Sequence, residues 1–174
     1  GVADYRNTLD FARNERMMRA LITWVSVGVM PLFLHGQWSA LSGGMNHIIR
    51  ALHFDHASGR LYAVGSFTTS GDSITNGTAW WDGEFWHPLG QGCDPFVPVL
   101  SIDIWGDEVI VGGYFDAAGN VAGTARIAAW TGSEWAAVGD GGTGGGVLRV
   151  AFMDSVLFAC GGFSTMGATS ATNV

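Results

Sequence analysis

The feature that most constrains this chain is an internal repeat of 48 or 49 residues. One copy is clearest between Leu61 and Gly92. It holds an apolar run, a Gly-rich turn, a Trp-rich run, an Asp-Gly turn and a Trp-led segment. The same steps return downstream. Gly65-Ser66-Phe67 becomes Gly113-Tyr114-Phe115 and then Gly161-Gly162-Phe163. A long repeat outranks other signals, because a unit too small to bury its own apolar face must stack on its neighbours.

Each unit reads as four short antiparallel strands. The first alternates, with Leu52 and Phe54, Ile102 and Ile104, and Val150 and Phe152 as paired apolar positions. Period-two alternation gives a sheet with two different faces. A turn follows (His56 to Gly59, Gly106 to Glu108, Asp154-Ser155), and then an apolar strand (Leu61 to Val64, Val109 to Val111, Val156 to Cys160). The glycines that end this strand predict a bulge or a close sheet approach, where a Cβ would obstruct. A polar loop carrying Gly71, Gly119 or Gly167 leads to a third strand, Thr78 to Trp81 or Ile127 to Trp130. The Trp-led strand starts at Trp38, Trp86 or Trp135 and runs into a Gly-rich loop. The chain has 27 Gly, roughly twice the usual share, beside 8 Trp and 10 Phe. That composition suits tight turns between aromatic-rich strands.

A tandem four-stranded unit of 40–50 residues is the sequence signature of a β-propeller blade. The expected fold class is therefore all-β. Its units would be tandem four-stranded antiparallel blades, incomplete within this chain, preceded by a helical and apolar N-terminal segment. A β-solenoid or a meandering sandwich is the alternative, but the unit is too long for solenoid coils. The motif Leu61-Tyr62-Ala63-Val64-Gly65-Ser66-Phe67, then Trp81-Asp82-Gly83, Trp86 and Leu89-Gly90, resembles Kelch-like or "delta-60" propeller repeats. Such repeats occur in large bacterial surface and secreted proteins and in the fungal cortical-marker family. The resemblance covers residues 33–174. It departs where Asp82 is replaced by His35 and Thr131, and where the Gly-Gly pair is broken at Ser66 and Tyr114. It implies a repeat type rather than an activity.

Residues 1–30 do not match the repeat and read as an anchoring or docking segment, ahead of repeats over residues 31–174. Apolar spacing predicts a helix from about Asn7 to Ala20 with Thr8 as N-cap. Ala20 to Leu34 is an uncharged apolar run of 15 residues, short of the roughly 20 needed to span a bilayer and interrupted by Pro31. A packed strand or a docking segment fits it better, with membrane contact by residues 20–34 the less favoured reading. By alignment Val174 corresponds to Arg126 and to Met30. Two expectations follow. The chain is the beginning of a longer repeat protein, or copies close head to tail, an N-terminal strand pair completing the last blade of the next subunit.

The formal net charge of −7 offers no basic field for nucleic acid. Cys93 and Cys160 lie in no metal spacing and read as a loop thiol and a buried strand thiol. His53, Asp55 and His56 are close in sequence, but the other copies carry Asp103 and Ala151 at the His53 position, so a metal site is not repeated. Asp72, Asp116 and Asp140 read as isolated turn carboxylates. Gly139 to Gly146 lacks the Gly-Lys-Ser/Thr end of a phosphate loop, and no nucleophile elbow appears. Trp80, Trp81, Trp86, Trp130 and Trp135 fit cross-strand packing better than a sugar-stacking surface.

No catalytic residue, metal ligand or cofactor is expected from these patterns. The expected function is a non-catalytic binding or structural module on a cell or virion surface, such as a phage fibre or adhesion protein. Its partners would be proteins of a larger assembly, a glycan, or further copies of itself. The alternative is a propeller-scaffold enzyme whose site is completed by blades outside this chain.

Overall fold

The computed structural model describes residues 41–171. The helix expected near residues 7–20, the apolar run 20–34, the boundary near residue 30, the Trp38 strand and the phase match at Val174 lie outside the described residues.

The described residues form an all-β structure of three successive sheets and one two-stranded hairpin. The first joins β1 (Ile49–Asp55), β2 (Arg60–Gly65), β5 (Thr78–Trp81) and β6 (Trp86–Pro88) in that order. A small hairpin of β3 (Thr69–Ser70) and β4 (Ser73–Ile74) is inserted between β2 and β5. The second sheet joins β7 (Val99–Trp105), β8 (Glu108–Gly113), β9 (Ile127–Trp130) and β10 (Trp135–Ala137) in chain order. The third joins β11 (Gly142–Met153), β12 (Val156–Met166) and β13 (Thr169–Ser170). All pairings are antiparallel. The two four-stranded antiparallel sheets agree with the expected unit. Gly142 to Gly146, the end of the Gly-rich segment, opens the long strand β11.

Tight turns set this register. The β1–β2, β7–β8 and β11–β12 hairpins each need one residue with positive φ, supplied by Gly59 (73°), Gly106 (58°) and Asp154 (55°). At the other end of each hairpin the first strand, β1, β7 or β11, bulges, with register shifts between Ile49 and Ala51, Val99 and Ser101, and Val147 and Arg149. The bulged backbone lies directly over the glycine of the neighbouring strand. A Cβ on Gly65 would collide with the Ile48 carbonyl, one on Gly113 with Pro98, and one on Gly161 with Gly146. The glycines expected to permit close approach do so in all three copies.

The sheets bury their apolar faces against one another, with β7 packed between β1 and β11. Tyr62, Val64 and Trp80 of the first sheet meet Ile102, Ile104, Val109 and Val111 of the second. Ile110, Ile127 and Ala129 of the second sheet meet Val150, Phe152, Leu157 and Ala159 of the third. The face composition is thus the same twice, offset by one repeat. Phe67, Phe115 and Phe163 are buried at one repeat position.

A buried indole N–H needs an acceptor. Trp86 Nε1 donates to the Leu41 carbonyl at 3.2 Å, and Trp135 Nε1 to the Leu89 carbonyl at 2.9 Å. Each Trp-led strand is therefore pinned to the end of the preceding repeat. Trp135→Phe removes that bond, but the Leu89 carbonyl keeps the Gly92 N–H at 3.0 Å. The expected loss of stability is about 1–2 kcal/mol, one bond's net worth plus some packing. Urea denaturation of the variant against the wild type measures it.

Candidate functional site: hollows beside the repeated hairpins

Each unit carries a short hairpin between its second and third strand positions, and each is held in the same way. Gly71, Gly119 and Gly167 sit at the tips with φ of 53°, 58° and 58°. Their N–H groups donate to the carbonyls of Gly44 (2.7 Å), Gly92 (2.8 Å) and Gly141 (2.6 Å). Side chains add a second clamp. Asn46 Oδ1 accepts from the Thr68 and Thr69 N–H groups at 2.9 and 3.1 Å. Asp94 Oδ2 accepts from the Asp116 and Ala117 N–H groups at 2.6 and 3.0 Å. In the third unit the hydroxyls of Thr143 and Thr165 meet at 2.7 Å. Sequence reading took these hairpins for loops. Their pairings span only one or two residue pairs, too few for alternation to be visible, and the recurring Gly was the signal.

Two hollows flank these hairpins. The first, of about 300 Å³, is lined among others by Ser42, Ser70, Asp72, Ser73, Phe85 and His87. It sets an exposed Phe85 ring beside hydroxyls, a carboxylate and an imidazole. The second, of about 150 Å³, lies beside Gly119 and Asn120 and includes Asn76, Gln91, Asp94 and Pro95. Asn76 Nδ2 donates to the Gln91 carbonyl, and Asn120 Nδ2 to Gln91 Oε1, both at 2.9 Å. This hollow is lined by two side-chain amides tied to Gln91 and by the Asp94 carboxylate, which the hairpin backbone holds.

The rim of the first hollow is fixed by an aromatic stack. The His87 ring lies on Trp80 with centroids 4.4 Å apart, and the Arg60 guanidinium sits 4.2 Å from the Trp80 centroid. Asp82 accepts from the N–H groups of Glu84 (2.7 Å) and Phe85 (2.8 Å) and contacts His87 Nε2 at 2.7 Å. These backbone donors first, and His87 after them, hold the Asp82 carboxyl well below its ordinary 3.8. A depressed folded-state value means the charged form stabilises the fold above about pH 4, and this contribution fades as pH falls through the lower folded value. Asp82→Asn removes the titrating charge. The wild type is expected to be the more stable at pH 6, with the gap closing on acidification below pH 4. Denaturation midpoints of both proteins from pH 7 to pH 2 check this; a gap that widens on acidification contradicts it.

The sequence candidates are placed as follows. Asp55 is committed to its own turn, accepting from Ala57 N–H at 2.9 Å and from the Ser58 hydroxyl. His56 packs edge-on against Phe54 at 4.9 Å between centroids, and His53 Nδ1 lies 3.5 Å from Asp103 Oδ1. The three are therefore directed to different partners. Among the described residues no group of three His, Cys, Asp or Glu side chains is gathered as metal ligands. Asp103 was missed as a link: its Oδ2 accepts the Phe152 N–H at 2.6 Å, so one carboxylate contacts β1 and β11 from β7. Alignment of the repeats already placed His53 and Asp103 at one position. That equivalent positions of adjacent units meet in space was the available signal.

Two readings are corrected. Asp116 is not an isolated turn carboxylate, because Arg126 Nη1 reaches it at 2.7 Å. The thiols are reversed: the loop residue Cys93 is the buried one, and the strand residue Cys160 is exposed. Cys93 is enclosed between units, bridged to Ala118, and burial pushes its thiol pKa up strongly. Cys160 points away from the second sheet. The tryptophans pack across strands, Trp81 on Trp86 at 5.4 Å and Trp130 on Trp135 at 5.5 Å. No protein-family model, curated protein or solved structure matches this chain.

Proposed function

We propose that this chain is a non-catalytic binding and assembly module of Kelch-like β-propeller type. It would be attached through its N-terminal segment to a larger assembly on a cell or virion surface, where its hairpins meet a protein or glycan. The observation that carries this reading is a hollow beside each of two equivalent hairpin tips, Gly71-Asp72 and Gly119-Asn120, walled otherwise by different side chains. A sheet unit that repeats its packing while varying the side chains around one hairpin is how repeat folds build binding surfaces. In the first hollow, Phe85 offers a ring face while Asp72, Ser70, Ser73 and His87 offer hydrogen bonds. That pairing of an apolar platform with few polar groups suits a sugar ring or an extended peptide. The sheets would be blades, with β1, β7 and β11 as the inner strands nearest the axis.

The test is a glycan array together with a pull-down against envelope proteins. A retained ligand whose affinity falls at least tenfold with Phe85→Ala or Asp72→Ala is expected. Silence in both assays overturns the proposal.

A further inference from the structure

The two faces that end the series of described sheets expose the residues that the interior faces bury. Tyr62 and Ile110 are 7% and 2% exposed at the position where Phe158 is 49% exposed. Ile102 and Val150 are 8% and 5% exposed where Leu52 is 57% exposed. Phe54 is likewise exposed, while its counterparts Ile104 and Phe152 pack against a neighbouring sheet. On the third sheet, Met153, Val156, Phe158 and Cys160 continue the exposed face. The hollow there, of about 220 Å³, is lined by Arg149, Val150, Ala151, Phe158, Ala159 and Cys160.

The two interior interfaces define what such a face accepts. Twice, the face carrying the Tyr62 or Ile110 position receives two alternating apolar side chains of the next inner strand. The matching pair in the first sheet is Leu52 and Phe54. We propose that the outward face of the third sheet docks the Leu52–Phe54 face of a second copy of this chain, repeating the interior interface between molecules. The contact is head to tail, so it joins two different surfaces and generates a ring where the rotation closes and a filament where it does not. Burial of these side chains supplies the attraction. The inference rests on the assembly reading proposed above, but not on its ligand.

Sedimentation velocity of the full chain over a range of concentrations tests it, with Leu52→Asp and Phe158→Asp as variants. Both side chains are exposed in the single chain, and unchanged β-type circular dichroism verifies each fold. The wild type is expected at multiples of 18.4 kDa. Each variant alone is expected as a monomer. Their equimolar mixture is expected to regain dimers, because one intact interface survives between unlike partners. A second readout is alkylation of Cys160, expected to slow at least tenfold in concentrated wild type but not in Leu52→Asp. A monomeric wild type overturns the proposal, and so do variants that associate like the wild type or a mixture that stays monomeric. Failure here leaves the glycan array and pull-down untouched, so the two readings fail separately.

Discussion

Phe115→Ala is expected to lower the stability of the fold by about 3–5 kcal/mol, the cost of emptying a large aromatic site in a packed core. Phe115 is fully buried, within the cluster that joins the first two sheets. Val99, Val111 and Ala118 of the same cluster are strand or bridge residues with little freedom to collapse into the space. The damage also reaches beyond one unit. When repeat units draw stability from their interfaces, loss of one interface uncouples the sheets. The variant is therefore expected to unfold in a broader transition with a lower denaturant slope, not merely at a lower midpoint. Guanidinium denaturation followed by tryptophan fluorescence reads both. A cost below about 1 kcal/mol would mean the two sheets do not share this core.

Gly113→Ala is expected to cost about 3 kcal/mol, the upper part of the range for forcing atoms into a filled site. A Cβ there would lie 2.5 Å from the Pro98 carbonyl, 2.9 Å from Val99 Cα and 3.1 Å from the Phe115 ring. Two of the three obstacles are backbone atoms of the bulged strand, so rotating a side chain does not relieve them. Gly106→Ala is the matched control. Its φ is 58° but nothing lies within 4 Å of a Cβ, so it carries only the left-handed backbone cost of about 1 kcal/mol. The comparison separates close approach from backbone conformation. Equal losses in the two variants would contradict the bulge geometry.

The fold was legible where the repeat could vote. A single copy of Gly-x-Phe is a weak signal, but three copies at one spacing identified a constrained site, and the bulges lie there. Strands of four or more residues were readable because alternation needs that length. The small hairpins were not, since pairings of one or two residues show no period. The burial of the two thiols was read the wrong way because burial here depends on a neighbouring sheet. Cys160 occupies the position of Val64 and Gly112, which are covered, yet it lies on a face that no described sheet covers. The Asp103 contacts were hidden for the same reason: a strand pattern reports which face a residue occupies, not which equivalent position of the next unit it meets. The hollows depend on side chains from hairpins, linkers and the Trp-led strands together, and no local window contains them.

We propose that successive sheets pack face to face around a common axis as blades. A crystal structure of the full chain tests it most directly. Sheets fanned about an axis are expected, with β1, β7 and β11 innermost, Asp103 linking them and Phe115 enclosed between the first two sheets. Sheets merged edge to edge into one continuous sheet, or coiled as a solenoid with Phe115 exposed, would contradict it.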